Sequence, residues 1–389
     1  MGKRLDYIDA IRGLAIFGVI VVHTSHEIYD LPKYLLKIAT EGARGVQLFF
    51  IASALTLFMT MIKRQEKEKH LIINFFIRRF FRIAPLFYIA IIFYILKDGL
   101  GPRYWLGDAP GISAWNIIAT IFFINGWNPY WINSIVPGGW SIAVEMTFYL
   151  LVPLIFFKIK NISKAIWLFI FSIFLSFSLN RILENVHFIS DQRLWSEYLF
   201  FWFPSQFPVF CLGIVLYFLI FSTSNLIKDS NKIQIATLLL GSSFCMILAL
   251  LKGVSVPCVD NHVLYGIAFV IFALSLSIYQ FEIFVNSFWI YLGKISFSSY
   301  LSHFALIPIA TSIISYTCLE ATAKYLLLLL ITLILTITVS SITYYYVEKP
   351  CIKLGSILIK KIETSNYTIW LKKKKNTIYS SFKDIERER

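Results

Sequence analysis

The sequence predicts an all-α polytopic membrane protein with about ten transmembrane helices and both termini cytoplasmic. Three observations carry that prediction. The 389 residues are 58% hydrophobic with a mean hydropathy of +0.70, far too apolar for a soluble globule of this size. The apolar residues gather in stretches long enough to enter a bilayer. The Lys and Arg residues concentrate in alternate connections, as the positive-inside rule requires of a multi-span chain.

The stretches run at about 11–28, 45–62, 83–96, 140–157, 165–180, 205–221, 235–251, 263–280, 288–314 and 324–347. The first follows Lys3 and Arg4, as a signal peptide would. It is followed, however, by His23-Thr24-Ser25-His26 in place of a small-residue cleavage site, and reads as an anchor that stays. An eleventh candidate, 113–125, is short, and charge decides its fate. With the N-terminus inside, the loop 63–82 is cytoplasmic and holds Lys63, Arg64, Lys67, Lys69, Arg78, Arg79 and Arg82. If 113–125 does not cross, the loops 158–164 and 222–234 and the chain from Lys349 onward are cytoplasmic too. Only nine of the 36 Lys and Arg then lie outside, leaving 27 inside. Letting 113–125 cross exports the Lys-rich tail, so it reads as an interfacial or re-entrant piece. The chain divides into a membrane body over 1–352 and a basic cytoplasmic tail over 353–389, whose Lys372-Lys373-Lys374-Lys375 run suits anionic lipid.

The net charge of +14 follows from this topology and calls for no nucleic-acid partner. The five cysteines are scattered, mostly in apolar stretches, with no Cys-x-x-Cys or Cys/His ligand spacing. Neither a disulfide framework nor a metal site is implied.

Ionisable side chains inside membrane spans are expensive and mark functional sites. Arg12 and His23 lie eleven residues apart in the first stretch. Eleven residues is almost three helical turns, so both share one face, roughly 16 Å apart along the axis. Arg12 is near the inner surface, where a snorkelling end residue would also sit, and Asp9 is placed to pair with it at i, i+3. His23 lies past the middle of the span. Arg78, Arg79 and Arg82 precede Pro85 on one broad helical face; they read either as a multidentate site for phosphates or as a positive-inside anchor. Glu145 sits about a turn and a half into the span opened by Trp140 and Ser141, and needs a partner there. His303 lies mid-span after Ser298 and Tyr300. The uncharged outer segment 125–140 offers aromatic rings and amides that suit sugar rings or an interfacial belt. A phosphate-rich donor on the basic inner face, such as an acyl-coenzyme A, and a hydroxylated acceptor outside fit this arrangement.

These motifs together resemble the integral-membrane acyltransferase 3 family, whose bacterial members O-acylate cell-surface glycans. The resemblance covers roughly 5–352. It rests on Asp9-Ala10-Ile11-Arg12-Gly13-Leu14-Ala15 with His23 eleven residues after the arginine, and on Gly42…Gly45-Val46…Leu48-Phe49-Phe50…Ser53. It continues through Arg79…Arg82-Ile83…Pro85, Trp140-Ser141…Glu145…Phe148-Tyr149, Ser298…Tyr300-Leu301…His303 and Glu348-Lys349-Pro350. Departures from the family pattern fall at Ala54, Met146 and Ala305. The resemblance implies a plasma-membrane O-acyltransferase, most readily an O-acetyltransferase, using acetyl-CoA or another acyl-CoA as co-substrate and no metal. Its acceptor would be a surface glycan such as O-antigen or exopolysaccharide, or a lipid-linked saccharide precursor. Carried over, His23, Arg12 and Glu145 are the candidate catalytic residues. Arg78, Arg79 and Arg82 are the candidate donor-binding residues, with Asp9, Ser141, Tyr300 and His303 as further site residues. Arg79 and Arg82 would bind coenzyme A phosphates, and His23 would be a general base or a transient acyl carrier. The competing reading is a lipid-linked oligosaccharide transporter or flippase. No internal repeat of the kind that marks many transporters is visible. A glycan polymerase would need a large polar outer loop, and the outer loops are short.

Overall fold

A computed structural model of the chain describes residues 6–186, 188–223 and 227–364. The tail lysines 372–375 lie outside the described residues. Among those described, the secondary structure is helical apart from one isolated bridge between Val256 and Val259. Ten helices are long and apolar enough to cross a membrane.

In chain order the α-helices are α1 (Asp6–Ser25), α2 (Lys33–Thr40), α3 (Gly45–Gln65), α4 (Leu71–Asp98), α5 (Ala114–Ile121), α6 (Gly139–Lys158) and α7 (Ile162–Glu184). They continue with α8 (Gln192–Phe201), α9 (Phe203–Thr223), α10 (Lys232–Leu251), α11 (Asn261–Ile278), α12 (Ser287–Lys294), α13 (Ser296–Ile314) and α14 (Ala321–Thr343). A π-helical turn, Tyr344–Glu348, joins α14 to a further helical stretch over 349–364. The 113–125 segment forms only the eight-residue α5, capped by Ser113, whose side chain accepts from the Asn116 amide. At about 1.5 Å per residue α5 is far shorter than a bilayer core.

The helices form an inner set and a lipid-facing outer set. In the windows that carry the apolar run, 67% of the α3 region is buried inside the protein, against 11% for α10. The peripheral helices α7, α10 and α14 keep Leu, Ile and Phe side chains exposed, as contact with lipid tails allows. At the centre α1 packs on α3, α12 and α13. Small residues permit that approach: Gly18 and Gly42 meet backbone to backbone, and a Cβ on Gly13 would run into the Trp289 carbonyl. Without a hydrophobic force between helices in lipid, such close backbone contact supplies much of the packing.

Three boundaries differ from the sequence expectation. The apolar run 288–314 is not one span: the helix breaks at Ile295 into a short α12 and the spanning α13. Within that run Lys294 is the one charged residue, and Gly293 is a second point, after Trp289, at which α12 touches α1. The third span begins twelve residues before the apolar run at 83, at Leu71, so all three arginines of the cluster lie within α4. Residues 33–40 form α2, which the hydropathy pattern does not single out.

The last helical stretch also reaches back to the start of α4. The Glu363 carboxylate accepts from the His70 amide (3.1 Å), the Lys69 amide (3.3 Å) and Asn74 Nδ2 (2.7 Å). Helix starts leave unpaired N–H groups, and here a distant carboxylate meets some of them.

Candidate active site

The ends of α3 and α6 and the starts of α4, α7 and α10 give the bundle a basic end. Two turns in from it, α1 presents Arg12. Its guanidinium pairs with Asp9 (Nη1 to Oδ1, 3.3 Å), the i, i+3 pair the sequence suggests, and donates to Thr56 Oγ1 on α3 (2.8 Å). Arg12 lines a small cavity of about 80 Å3 together with Arg79 and Arg82 from α4, Ser53 from α3, Ser141, Glu145 and Tyr149 from α6, and Ser296 and Tyr300 at the α12–α13 break and beyond. The polar motifs of five separate helices therefore converge on one buried point.

Glu145 is the anion of this cavity. Tyr149, one turn on, donates to its Oε1 (2.6 Å), and Ser53 Oγ donates to the same oxygen. The Arg79 guanidinium lies 5.7 Å over the Tyr149 ring and 5.9 Å over that of Phe75. Its buried Nε has no hydrogen-bond partner. Neither Arg79 nor Arg82 forms a salt bridge among the described residues. Cationic groups facing a cavity without neutralising partners are suited to a polar or anionic ligand. Replacing Glu145 by alanine strands the hydroxyls of Ser53 and Tyr149. The expected loss is about 3 kcal/mol of stability, read as a lowered thermal midpoint of the detergent-solubilised protein. An unchanged midpoint would refute the carboxylate's structural part.

Arg78 does not join the cavity. It turns to Glu68, with Nη1 and Nη2 bound to the two carboxylate oxygens (2.8 and 3.0 Å), and Glu68 also takes Arg64 (2.6 Å). Adjacent helical residues point about 100° apart, so Arg78 and Arg79 serve different neighbours. Burial alone would push the Glu68 carboxyl up. The hydrogen bonds from Arg78 and Arg64 more than offset it, so Glu68 titrates below its ordinary value.

From the cavity a line of polar groups continues away from the basic end. Tyr300 donates to the Gly138 carbonyl (3.0 Å) and accepts from Ser141 (2.8 Å). Gly138 itself has φ +76°, a left-handed conformation that glycine takes without penalty. The Tyr300 ring lies 5.9 Å from that of His303, which lies 5.4 Å from that of His23. His303 is fully buried. Its Nδ1 meets the Ser299 carbonyl at 3.0 Å, so Nδ1 carries the proton, and Nε2 is left as a buried acceptor with no partner. The half-buried His23 also packs on Phe304 (4.4 Å) and faces the exposed His26 (6.1 Å). Ser298, beside these residues, donates to buried Glu348 of the π-turn.

Arg12, Arg79, Arg82, Glu145, Ser141 and Tyr300 thus share one cavity, Asp9 supports it, and His23 and His303 form a pair further along. Sequence reasoning missed Thr56, Tyr149 and Ser296 as site residues. Tyr149 carried a signal, being one helical turn after Glu145. Thr56 carried none, being a lone threonine in an apolar run.

A bundle of ten apolar helices closed around arginines, a carboxylate and paired imidazoles defines an integral-membrane protein with a buried polar cluster. The chain belongs to the acyltransferase 3 family, whose model, described as an acyltransferase domain, matches residues 5–345. It is 26% identical over 378 residues to the O-acetyltransferase OatA of Staphylococcus aureus, in strains NCTC 8325 / PS 47 and COL alike. Each match covers 91% of this chain and 58% of the relative, so the chain spans well under two thirds of the length of the curated relatives it matches. No solved structure matches the chain.

Proposed function

We propose that the protein is an O-acyltransferase of the bacterial plasma membrane, with both termini cytoplasmic. It would move an acyl group, acetyl by likeness to OatA, from cytoplasmic acyl-CoA to a hydroxyl of a surface glycan or a lipid-linked saccharide precursor. The observation that carries this reading is the polar line itself. It runs from the arginine cavity through Tyr300 and His303 to His23.

The chemistry is one substitution at a carbonyl. The acceptor oxygen bonds to the thioester carbon while His23 takes the hydroxyl proton as general base. The C–S bond then breaks, the thiolate leaves, and the proton on His23 returns to sulfur. His303, its Nδ1 anchored on Ser299, sets the edge against which the His23 ring rests. Arg12, Arg79 and Arg82 offer guanidinium N–H donors to the carbonyl groups of the donor on its way in. Buried donors fixed in advance act more strongly than the same groups in water.

The protein reconstituted into vesicles with radiolabelled acetyl-CoA on its basic side is expected to release the free thiol and to esterify a glycan acceptor on the other side. Mass spectrometry and NMR of surface glycans from cells with and without the gene identify the hydroxyl. A deletion strain that keeps all its glycan ester, together with no thiol release from any short acyl-CoA, would defeat the reading.

A further inference from the structure

The cavity at Arg79 and Arg82 measures about 80 Å3, whereas pockets for cofactor-sized ligands run to about 300–1,000 Å3. It admits a thin chain and excludes an adenine nucleotide. The phosphates of a coenzyme A donor therefore need another seat than the one the sequence suggests.

A second cavity, of about 1090 Å3, opens at the basic end between α3, the ends of α9 and α11 and the start of α10. Its walls are largely apolar, with Leu55, Met59 and the ring of Tyr217. Its rim bears Lys63, Arg64, Lys67 and Lys232 against one carboxylate, Glu68. Arg64 is paired with Glu68, and Lys232 with the exposed Asp229. Lys63 and Lys67 are exposed and form no salt bridge among the described residues. Thr56 belongs to the wall of this vestibule, and its hydroxyl is the acceptor for Arg12, which lines the small cavity. One hydrogen-bonded pair of side chains therefore links the walls of the two spaces.

Resting on the acyl-CoA reading above, we propose that this vestibule binds the adenosine phosphate end of the donor, and that Arg12–Thr56 is the partition past which the acyl-bearing arm enters the small cavity. The excess of cations on the rim attracts a polyanion. Lysines, as compact, well-hydrated charges on flexible stems, suit phosphates that remain in water. The apolar floor and the Tyr217 ring suit the flat face of a base. Arg79 and Arg82 then meet the arm rather than the phosphates.

The test uses the full chain in nanodiscs of neutral phosphatidylcholine, with adenosine 3′,5′-bisphosphate as the probe because it carries no arm. The bisphosphate is expected to bind, and the exposed double variant Lys63→Glu/Lys67→Glu to weaken it by at least about tenfold at an unchanged thermal midpoint. Arg79→Ala/Arg82→Ala is expected to keep bisphosphate binding while losing acyl transfer. Loss of bisphosphate binding in the arginine variant, with none in the lysine variant, would overturn the proposal. So would intact acetyl-CoA binding in the lysine variant, which leaves the donor reading standing and removes only the vestibule. Absence of acetyl-CoA binding to the unaltered protein would instead fail the donor reading itself. Nanodiscs containing phosphatidylglycerol separate the lipid source: a lysine variant that loses anionic lipid but holds the nucleotide as before also overturns the proposal.

Discussion

His23→Ala is expected to lower acyl transfer by a factor of about 10²–10⁴, the range over which a positioned general base contributes, with protein abundance and glycan length unchanged. The geometry supports both halves of that expectation. His23 is half-buried at the far end of the polar line, against His303 and Phe304, and its loss leaves space next to a surface-facing site instead of a void in the core. His303 does not replace it, since its ring is fully buried. The measurement is ester content of the surface glycan by NMR, with His26→Ala, at the exposed end of the same helix, as the control that retains activity. Full acylation in the His23 variant would remove the residue from the chemistry.

Gly293→Ala is expected to be the most damaging single methyl group in the protein. A Cβ at Gly293 would run into the Asp9 carbonyl oxygen and the backbone behind it, where no side chain can swing aside. Overpacking a core costs about 1–3 kcal/mol when neighbours yield. Here the neighbour is the backbone of α1, so α12 and α1 must separate. Asp9 and Arg12 ride on that part of α1, so whatever protein still folds is expected to lose the small arginine-lined cavity as well. The comparison is Gly241→Ala in lipid-facing α10, where the added methyl meets nothing within 4 Å and helix propensity favours alanine. Folded yields and thermal midpoints of the two variants should diverge widely; similar values would refute the close approach of α12 to α1.

The ten spans were legible because hydropathy over membrane-length windows is a strong and additive signal, and the rejection of 113–125 followed from charge alone. The Asp9–Arg12 pair was legible because it is local. What could not be read was tertiary. Glu68 lies in a loop, and nothing in its neighbourhood says that it takes Arg78 out of the arginine cluster. The α12–α13 break lies inside the run 288–314, beside Lys294, and the contact of α12 with α1 is one that only the folded chain makes. The 83 start of the third span was late because Arg78, Arg79 and Arg82 interrupt the apolar run that begins at Leu71, and a short apolar stretch before a basic cluster looks like a loop at the positive side. The narrowness of the arginine cavity is a property of five helices at once, so the sequence could nominate Arg79 and Arg82 as site residues but not show how little space they line.

The clasp of Glu363 on the start of α4 also bears on how the chain is assembled. The Asn74–Glu363 contact joins residues 289 positions apart. Domains are synthesised from the N-terminus onward, and contacts of long sequence separation form late. The helix that carries Arg79 and Arg82 is thus among the first to enter the bilayer and among the last to have its opening turn completed, so the arginines of the small cavity are fixed in place only when nearly the whole chain has been made.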